Sequence, residues 1–371
     1  MSNTLGKNIQ LTIFGESHGE SVGAVLDGVA AGVPFDTEYL KSQMDKRRAK
    51  GKISTQRREG DVVHIQSGVV NNRTTGTPIC FQILNTNTKS KDYDMGDLLF
   101  RPGHADYTAH IKYNGYEDAR GGGHFSGRLT APVVAAGSLL LSMLQSKNIL
   151  IGSHILKCAG VEDQPFSDNL LELDEQIKGL NQKDFATLDD KISDEMIKRT
   201  EAAADEGDSV GGVLETVITH LPVGLGEPFF DSVESALAHA LFSIPAVKGV
   251  EFGAGFSFAQ LRGSQANDAF YTDGNGNILT KTNNNGGING GITNGMPIVV
   301  RTVIKPTPSI FKEQETVNYT KMSNDTLQIK GRHDPCIIHR ARVVQDSICA
   351  LVISDLLSQF YGANWQNQGK L

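Results

Sequence analysis

Two histidines of this chain lie in short glycine-flanked segments, Gly15-Glu16-Ser17-His18-Gly19 and Arg101-Pro102-Gly103-His104-Ala105-Asp106. An imidazole with an ordinary pKa of ~6.5 changes charge near neutrality. On a chain bend beside serine or arginine it is placed to deliver a proton to an anion, and poorly placed to fill a core. Each segment alone describes a turn histidine with local hydrogen bonds. Together with arginine-bearing loops they form a candidate pair of proton donors.

The segment Arg120-Gly121-Gly122-Gly123-His124-Phe125-Ser126-Gly127-Arg128 adds a glycine-rich turn with two cations. It has neither the Gly-Lys-Ser/Thr ending of a P-loop nor dinucleotide-binding spacing. Three successive glycines exceed what helix capping needs and permit close backbone approach to a ligand. Downstream, Lys305-Pro306-Thr307-Pro308-Ser309 joins a cation and two hydroxyls to a stiff backbone that suits a phosphate. In Gly331-Arg332-His333-Asp334-Pro335 a guanidinium and a carboxylate two residues apart face one side of an extended strand. They are either a structural ion pair or part of a site. Lys46, Arg47, Arg48, Lys50, Lys52, Arg57 and Arg58 form a block of cations without an intervening acid. In a chain of net charge −7 such a block is either a solvated loop or a local field that concentrates an anion.

These segments span more than 300 residues, so the fold must gather distant loops. Alternation predicts strands over Ile9–Phe14 and Val22–Val29 with His18 in the turn between them, and further strands over Val62–Gln66 and Pro78–Leu84. Asp36 or Thr37 caps a helix running to about Arg48. A short helix is expected over Ala105–Tyr116. A long one over Ser126–Leu144 is apolar all round and would place Gly123–Ser126 at an anion-favouring N-terminus. Acidic surface helices at 168–180 and 191–206, a strand over Val210–Thr219, a helix over Asp231–Leu241, a strand over Pro297–Ile304 and a helix over Arg340–Tyr361 follow. Without a repeat or a clean linker, a single intertwined α+β domain covering 1–371 is expected.

Composition narrows the class. Forty of 371 residues are glycine, and they cluster at 121–123 and 286–295, against a usual share of ~7%. The opening residues carry no secretory pattern. The most apolar stretch, Leu129–Leu144, is interrupted by Pro132 and Gly137 and is too short for a bilayer. Cys80, Cys158, Cys336 and Cys349 show neither zinc nor redox spacing. A cytoplasmic protein with reduced thiols and no membrane association is expected. The negative charge argues against a nucleic-acid partner.

Gly15–Gly19, Gln56-Arg57-Arg58, Arg101–Tyr107, Arg120–Arg128, Gly263-Ser264-Gln265, Lys305-Pro306-Thr307 and Gly331–Cys336 together resemble, in order, the signature segments of chorismate synthases. The resemblance implies helices sandwiched between antiparallel β-sheets and a homotetramer. It implies a 1,4-anti elimination of phosphate from 5-enolpyruvylshikimate 3-phosphate to give chorismate, the last common step toward the aromatic amino acids. The reaction needs reduced FMN although it has no net redox change.

By the same resemblance His18 protonates the leaving phosphate, and His104 holds a proton near the reduced flavin. Asp334 assists proton movement at flavin N5. Substrate contacts are expected from Ser17, Arg47 or Arg48, Lys52, Arg57, Arg101, Ser126, Arg128 and Arg332. Flavin contacts are expected from His124, Phe125, Ser126, Ala246, Gly290, Lys305, Pro306, Thr307, Pro308, Ser309 and Arg332. Many members have arginine and serine where His124 and Phe125 stand. No metal is implied. Members that reduce their own flavin with NADPH are generally longer, which favours a monofunctional enzyme served by an external reductant.

Two other classes compete. A metal hydrolase could use His18, His104, His110, Asp106 and Asp334, although no metal-ligand spacing accompanies them. A nucleotide- or RNA-binding module could use the basic block, although no aromatic-interleaved basic sheet accompanies it.

Overall fold

The computed structural model describes residues 3–49, 51–54, 60–86, 98–274, 276–329 and 334–367. Its first sheet grows from the alternating N-terminal segment. Strands β1 (Thr4–Leu5), β2 (Gln10–Gly15) and β3 (Ser21–Asp27) form a meander, joined by β4 (Val63–Ser67) and β7 (Ile79–Leu84). The spatial order is β1-β2-β3-β7-β4, antiparallel throughout. A minor ribbon, β5 (Val69–Val70) and β6 (Arg73–Thr74), links β4 to β7.

The second sheet has order β11-β16-β10-β8-β9 and is also antiparallel. Its strands are β8 (Leu150–Cys158), β9 (Val161–Glu162), β10 (Gly212–Thr219), β11 (Val247–Phe252) and β16 (Ile298–Ile304). Three hairpins decorate it: β12 (Phe270–Thr272) with β13 (Ile278–Thr280), β14 (Ile288–Asn289) with β15 (Ile292–Thr293), and β17 (Gln314–Asn318) with β18 (Ser323–Leu327).

The helices are α1 (Thr37–Arg47), α2 (Asp106–Lys112), α3 (Thr130–Ser146), α4 (Leu170–Leu180), α5 (Asp190–Asp205), α6 (Val233–Leu241), the single turn α7 (Gly263–Ala266) and α8 (Ile338–Tyr361). Asp36 caps α1, its carboxylate accepting the Glu38 and Tyr39 N–H groups. Helix α3 packs on β2, β3 and β7 of one sheet and on β8 of the other, while α8 lies against α3, β8 and β10. The expected sandwich of helices between antiparallel sheets is therefore present. At their crossing, a side chain on Gly137 of α3 would come within 2.3 Å of Ser347 of α8. Two helical stretches, Gly127–Ser146 and Ile338–Tyr361, are long and apolar enough to cross a membrane, yet both are mostly buried inside the protein.

Periodicity reveals β10 and β16 but hides β8 and β11. Strand β8 is buried on both faces and shows no apolar–polar alternation. It even carries His154, whose ring sits fully buried between Asp163 and Glu215 at 3.3 and 3.0 Å. The long helix also starts later than its apolar run suggests. Residues 120–129 form two tight turns, and α3 begins at Thr130.

Helix α8 also holds the N-terminal strand. The buried Asp355 carboxylate accepts the N–H groups of Lys7, Asn8 and Ile9 at 2.9, 2.6 and 3.0 Å. Asp355→Ala would strand these donors. It is expected to cost about 2–4 kcal/mol, read as a lower urea midpoint at unchanged slope.

Candidate active site

The turn between β2 and β3 carries Ser17 and His18, both buried. It docks on the glycine segment, with the Ser17 N–H donating to the Gly123 carbonyl at 3.1 Å and its hydroxyl donating to the Arg120 carbonyl at 3.2 Å. The hydroxyl is then left to accept from His18 Nδ1 at 3.2 Å, which turns Nε2 away from the serine. Gly121, Gly122 and Gly123 have φ of 62°, 93° and 52°, a left-handed run that only glycine adopts without strain. A Cβ on Gly121 would lie 2.0 Å from the His18 ring, and one on Gly122 would lie 3.2 Å from the His104 ring. The two histidines thus rest on neighbouring glycines.

His104 is held from behind. Its Nδ1 lies 2.8 Å from Asp106 Oδ1, while Arg101 grips the same carboxylate through Nε and Nη2, each at 2.7 Å. This fixes Nδ1 as the protonated nitrogen and leaves Nε2 for exchange. Burial alone would raise the Asp106 pKa, but the bonds from Arg101 and His104 overcome it and hold the group well below the ordinary carboxylate range.

Lys305 joins this loop to the second sheet. Its ammonium donates to the Gly103 carbonyl at 2.7 Å, and Pro308 packs against Gly103. Its backbone N–H binds the carbonyl of Ala246, a residue at φ 75°, strained for a side chain. The Thr307 hydroxyl donates to the Asp334 carbonyl at 2.7 Å. The Asp334 carboxylate receives Arg340 Nη1 at 2.9 Å, and Arg340 Nε donates to the Arg47 carbonyl at 2.8 Å.

Arg47 and Arg128 are buried and share the Asp61 carboxylate, Arg47 at 3.0 Å. Burial would raise the pKa of Asp61, but the two guanidiniums reverse the sign and lower it. Arg47 also binds Thr130 and the Gly127 carbonyl, and Arg128 binds Asn85 at 3.0 Å. Ser126 accepts the Arg128 N–H and starts the turn leading to α3. The contacts therefore close a ring: histidine turn, glycine segment, His104 loop, Lys305 segment, Asp334, Arg340, Arg47, Asp61, Arg128 and back to the glycine segment.

His124 contacts the Gly15 carbonyl at 2.9 Å and Asn3 at 3.3 Å, fastening the glycine segment to the first sheet. Phe125 is partly exposed against Tyr113. Gly290 lies at the tip of the β14–β15 hairpin, whose neighbour Gly291 accepts the Val233 N–H at 2.9 Å. Arg48 is half-exposed and pairs with Asp45 at 2.5 Å, and Lys52 is exposed. Ser309 is partly buried in the Lys305 segment. Arg57 and Arg332 lie outside the described residues. His110 bonds Glu117 at 3.0 Å and packs between Phe100 and Tyr319. Among the described residues no three His, Cys, Asp or Glu side chains converge as metal ligands.

Asp61, Asn85, Asp118 and Arg340 are the site's unheralded members. Asp118 binds Arg120 through both carboxylate oxygens, at 2.8 and 2.7 Å, and those bonds lower its pKa. Only Asp61 leaves a trace in the sequence, as an acid closely following the basic block.

Comparison with known proteins gives one consistent result. The chorismate synthase family model matches residues 9–357. A chorismate synthase of Dehalococcoides mccartyi strain BAV1 is 46% identical over 357 residues, 96% of each chain. One of Thermococcus kodakarensis is 44% identical over 352 residues, covering 95% of this chain and 96% of its own. A crystal structure of chorismate synthase superposes with a TM-score of 0.76 at 28% identity, over 96% of this chain and 94% of that one.

Two measurements probe the site's construction. Gly121→Ala should cost at least the ~1–2 kcal/mol of a left-handed alanine and displace the His18 Cε1–H resonance, whereas Gly127, with open space around it, should accept alanine with neither effect. Because the folded-state pKa of Asp106 is depressed, its contribution to stability is full above the unfolded value near ~3.9 and is lost as pH falls through the folded value. Asp106→Asn should therefore flatten the stability profile below about pH 4, measured by urea unfolding at successive pH values.

Proposed function

The chain belongs to the chorismate synthase family, carbon–oxygen lyases of the shikimate pathway, and from that premise we propose that 1–371 acts as one unit. It takes 5-enolpyruvylshikimate 3-phosphate, removes its phosphate and a C6 hydrogen by 1,4-anti elimination, and releases chorismate. The reaction depends on reduced FMN, renewed by an external reductant in the cytoplasm. The observation that carries this reading is the closed ring of loops, which brings His18 and His104 onto adjacent glycines within a frame of arginine and lysine.

Reduced FMN would supply transient electron density for the elimination. The residues available to hold it suit a flavin. Lys305 offers a cation for its phosphate, Thr307 and Ser309 offer hydroxyls, and Pro306, Pro308 and the turned backbone at Ala246 offer a stiff edge beside Asp334. Ser126 and Phe125 would approach from the glycine segment. His124 would act through that segment, since its ring is committed to Gly15. Gly290 and Arg332 complete the proposed contacts.

On the substrate side, His18 gives a proton to the departing phosphate. Its ring is backed by Ser17 and faces a glycine that excludes any side chain. His104 exchanges its proton at Nε2, because Asp106 retains the one at Nδ1. Asp334 handles the proton nearest the flavin edge and is oriented by Arg340. Arg101, Arg128, Arg47 or Arg48, Lys52, Arg57 and Arg332 supply positive charge to phosphate and carboxylates. Arg47 and Arg128 would act mainly as buried charge, because their guanidiniums already bind Asp61.

A homotetramer is part of the proposal. Phe229 and Phe230 are 86% and 94% exposed, and Val223 and Phe360 flank Gly224 with much of their surface open. Large apolar side chains left open in this way support assembly with further copies.

An anaerobic assay with photoreduced FMN tests the reading by following chorismate formation. Product should form with reduced flavin and not with oxidised flavin. His18→Ala and His104→Ala should each lower kcat by about 10²–10⁴-fold with a smaller change in KM. Equal turnover with oxidised flavin would overturn the proposal.

A further inference from the structure

Cys158 and Cys336 are 178 residues apart in sequence, yet their sulfurs lie 3.7 Å from one another and both side chains are fully buried. Cys158 ends β8, and Cys336 lies two residues past Asp334 in the segment leading into α8. The surroundings are tightly knit. Val210 N–H donates to the Pro335 carbonyl at 2.8 Å, Ala159 N–H donates to Gly211 at 3.3 Å, and Thr307 holds the Asp334 carbonyl. Any pull on Cys336 is therefore applied to the base of Asp334.

We propose that Cys158 and Cys336 are an oxidation site, a dithiol that a peroxide converts to a disulfide and that thereby shifts the Asp334–Thr307 segment and switches the enzyme off. The inhibitory part of this proposal rests on the role given above to Asp334. The chemistry balances. The Cys158 thiolate attacks one peroxide oxygen and the O–O bond breaks, giving a sulfenic acid at Cys158 and a hydroxide that leaves as water. The Cys336 thiol then attacks that sulfur and expels a second water. Two thiols and one hydrogen peroxide become one disulfide and two waters.

The pair is polarised for this order of events. The hydrogen bond from Cys336 draws the Cys158 thiol below its ordinary pKa, and the same contact with burial pushes Cys336 up. We assign Cys158, which also meets the Thr200 hydroxyl at 3.9 Å, as the attacking sulfur and Cys336 as the resolving one, once local opening admits peroxide to the buried pair. A disulfide requires ~2.05 Å between sulfurs, so the two sulfurs must close by well over an ångström from 3.7 Å, and whatever part of that closure the side chains do not absorb is passed to the segment carrying Asp334. A displacement of that order at a catalytic group can cost about a hundredfold in rate. For an enzyme that needs reduced flavin, a thiol pair that closes under oxidant would stop turnover under the conditions that also deplete its cofactor.

The test treats the full-length protein with hydrogen peroxide, removes the oxidant with catalase and divides the sample. One part is denatured for a thiol count and digested without reduction for mass spectrometry. The other is assayed anaerobically with photoreduced FMN before and after dithiothreitol. The expected result is loss of two of the four thiols, a Cys158–Cys336 linked peptide, and a fall in kcat of about ten- to a hundredfold that dithiothreitol reverses. Cys158→Ala should keep the activity of the reduced protein and lose the peroxide effect, and Cys158→Val serves if alanine destabilises the strand end. Four thiols remaining after oxidation, a disulfide without loss of rate, or equal inhibition of the Cys158 variants would each overturn the proposal. Absence of chorismate from the reduced wild-type protein would instead overturn the functional reading, since peptide mapping does not depend on activity.

Discussion

The site depends on a stretch of backbone that cannot carry side chains. Gly121 meets the His18 ring, Gly122 faces the His104 ring, and Gly123 turns so closely on the Asp118 carbonyl that a Cβ would lie 2.0 Å from it. All three adopt left-handed geometry. The two imidazoles rest against neighbouring glycines, where an added side chain would displace them. The histidine turn, the His104 loop and the entry to α3 then take their positions from that segment through the Ser17, His124 and Ser126 contacts.

Charge is organised by a few acids. A buried guanidinium is costly unless it is bonded, and Asp61 answers this for both Arg47 and Arg128. Asp106 does the same for Arg101 while fixing the tautomer of His104. Arg340 reverses the arrangement, a cation that steadies the acid Asp334 and ties it to the end of α1. The acids Asp61, Asp106 and Asp334 are thus each oriented by a cationic partner.

Much of this was legible in the sequence where the signal was local. The histidine turns and the glycine run carry their constraint within a few residues, and α1 announces its start through Asp36. What escaped depended on three-dimensional partners. Strand β8 is hidden because burial on both faces erases alternation. Arg340 reads as an ordinary helix residue until Asp334 and the Arg47 carbonyl are seen beside it. Nothing local in the sequence shows that the His124 ring fastens the glycine segment to β2. The scattered cysteines conceal a pair because sequence spacing says nothing about β8 meeting the approach to α8.

Asp355 makes the N-terminal strand depend on α8, a helix encoded after every strand of both sheets. During synthesis, β2 and β3 leave the ribosome long before the carboxylate that satisfies Lys7, Asn8 and Ile9. Helix α3 likewise emerges before the partner that covers Gly137. The nascent chain must hold an apolar helix and an unanchored sheet edge until α8 is free of the exit tunnel. Such delayed, long-range closure is slow and exposes sticky surface. A protein built this way places its heaviest demand on chaperones while it is still being translated.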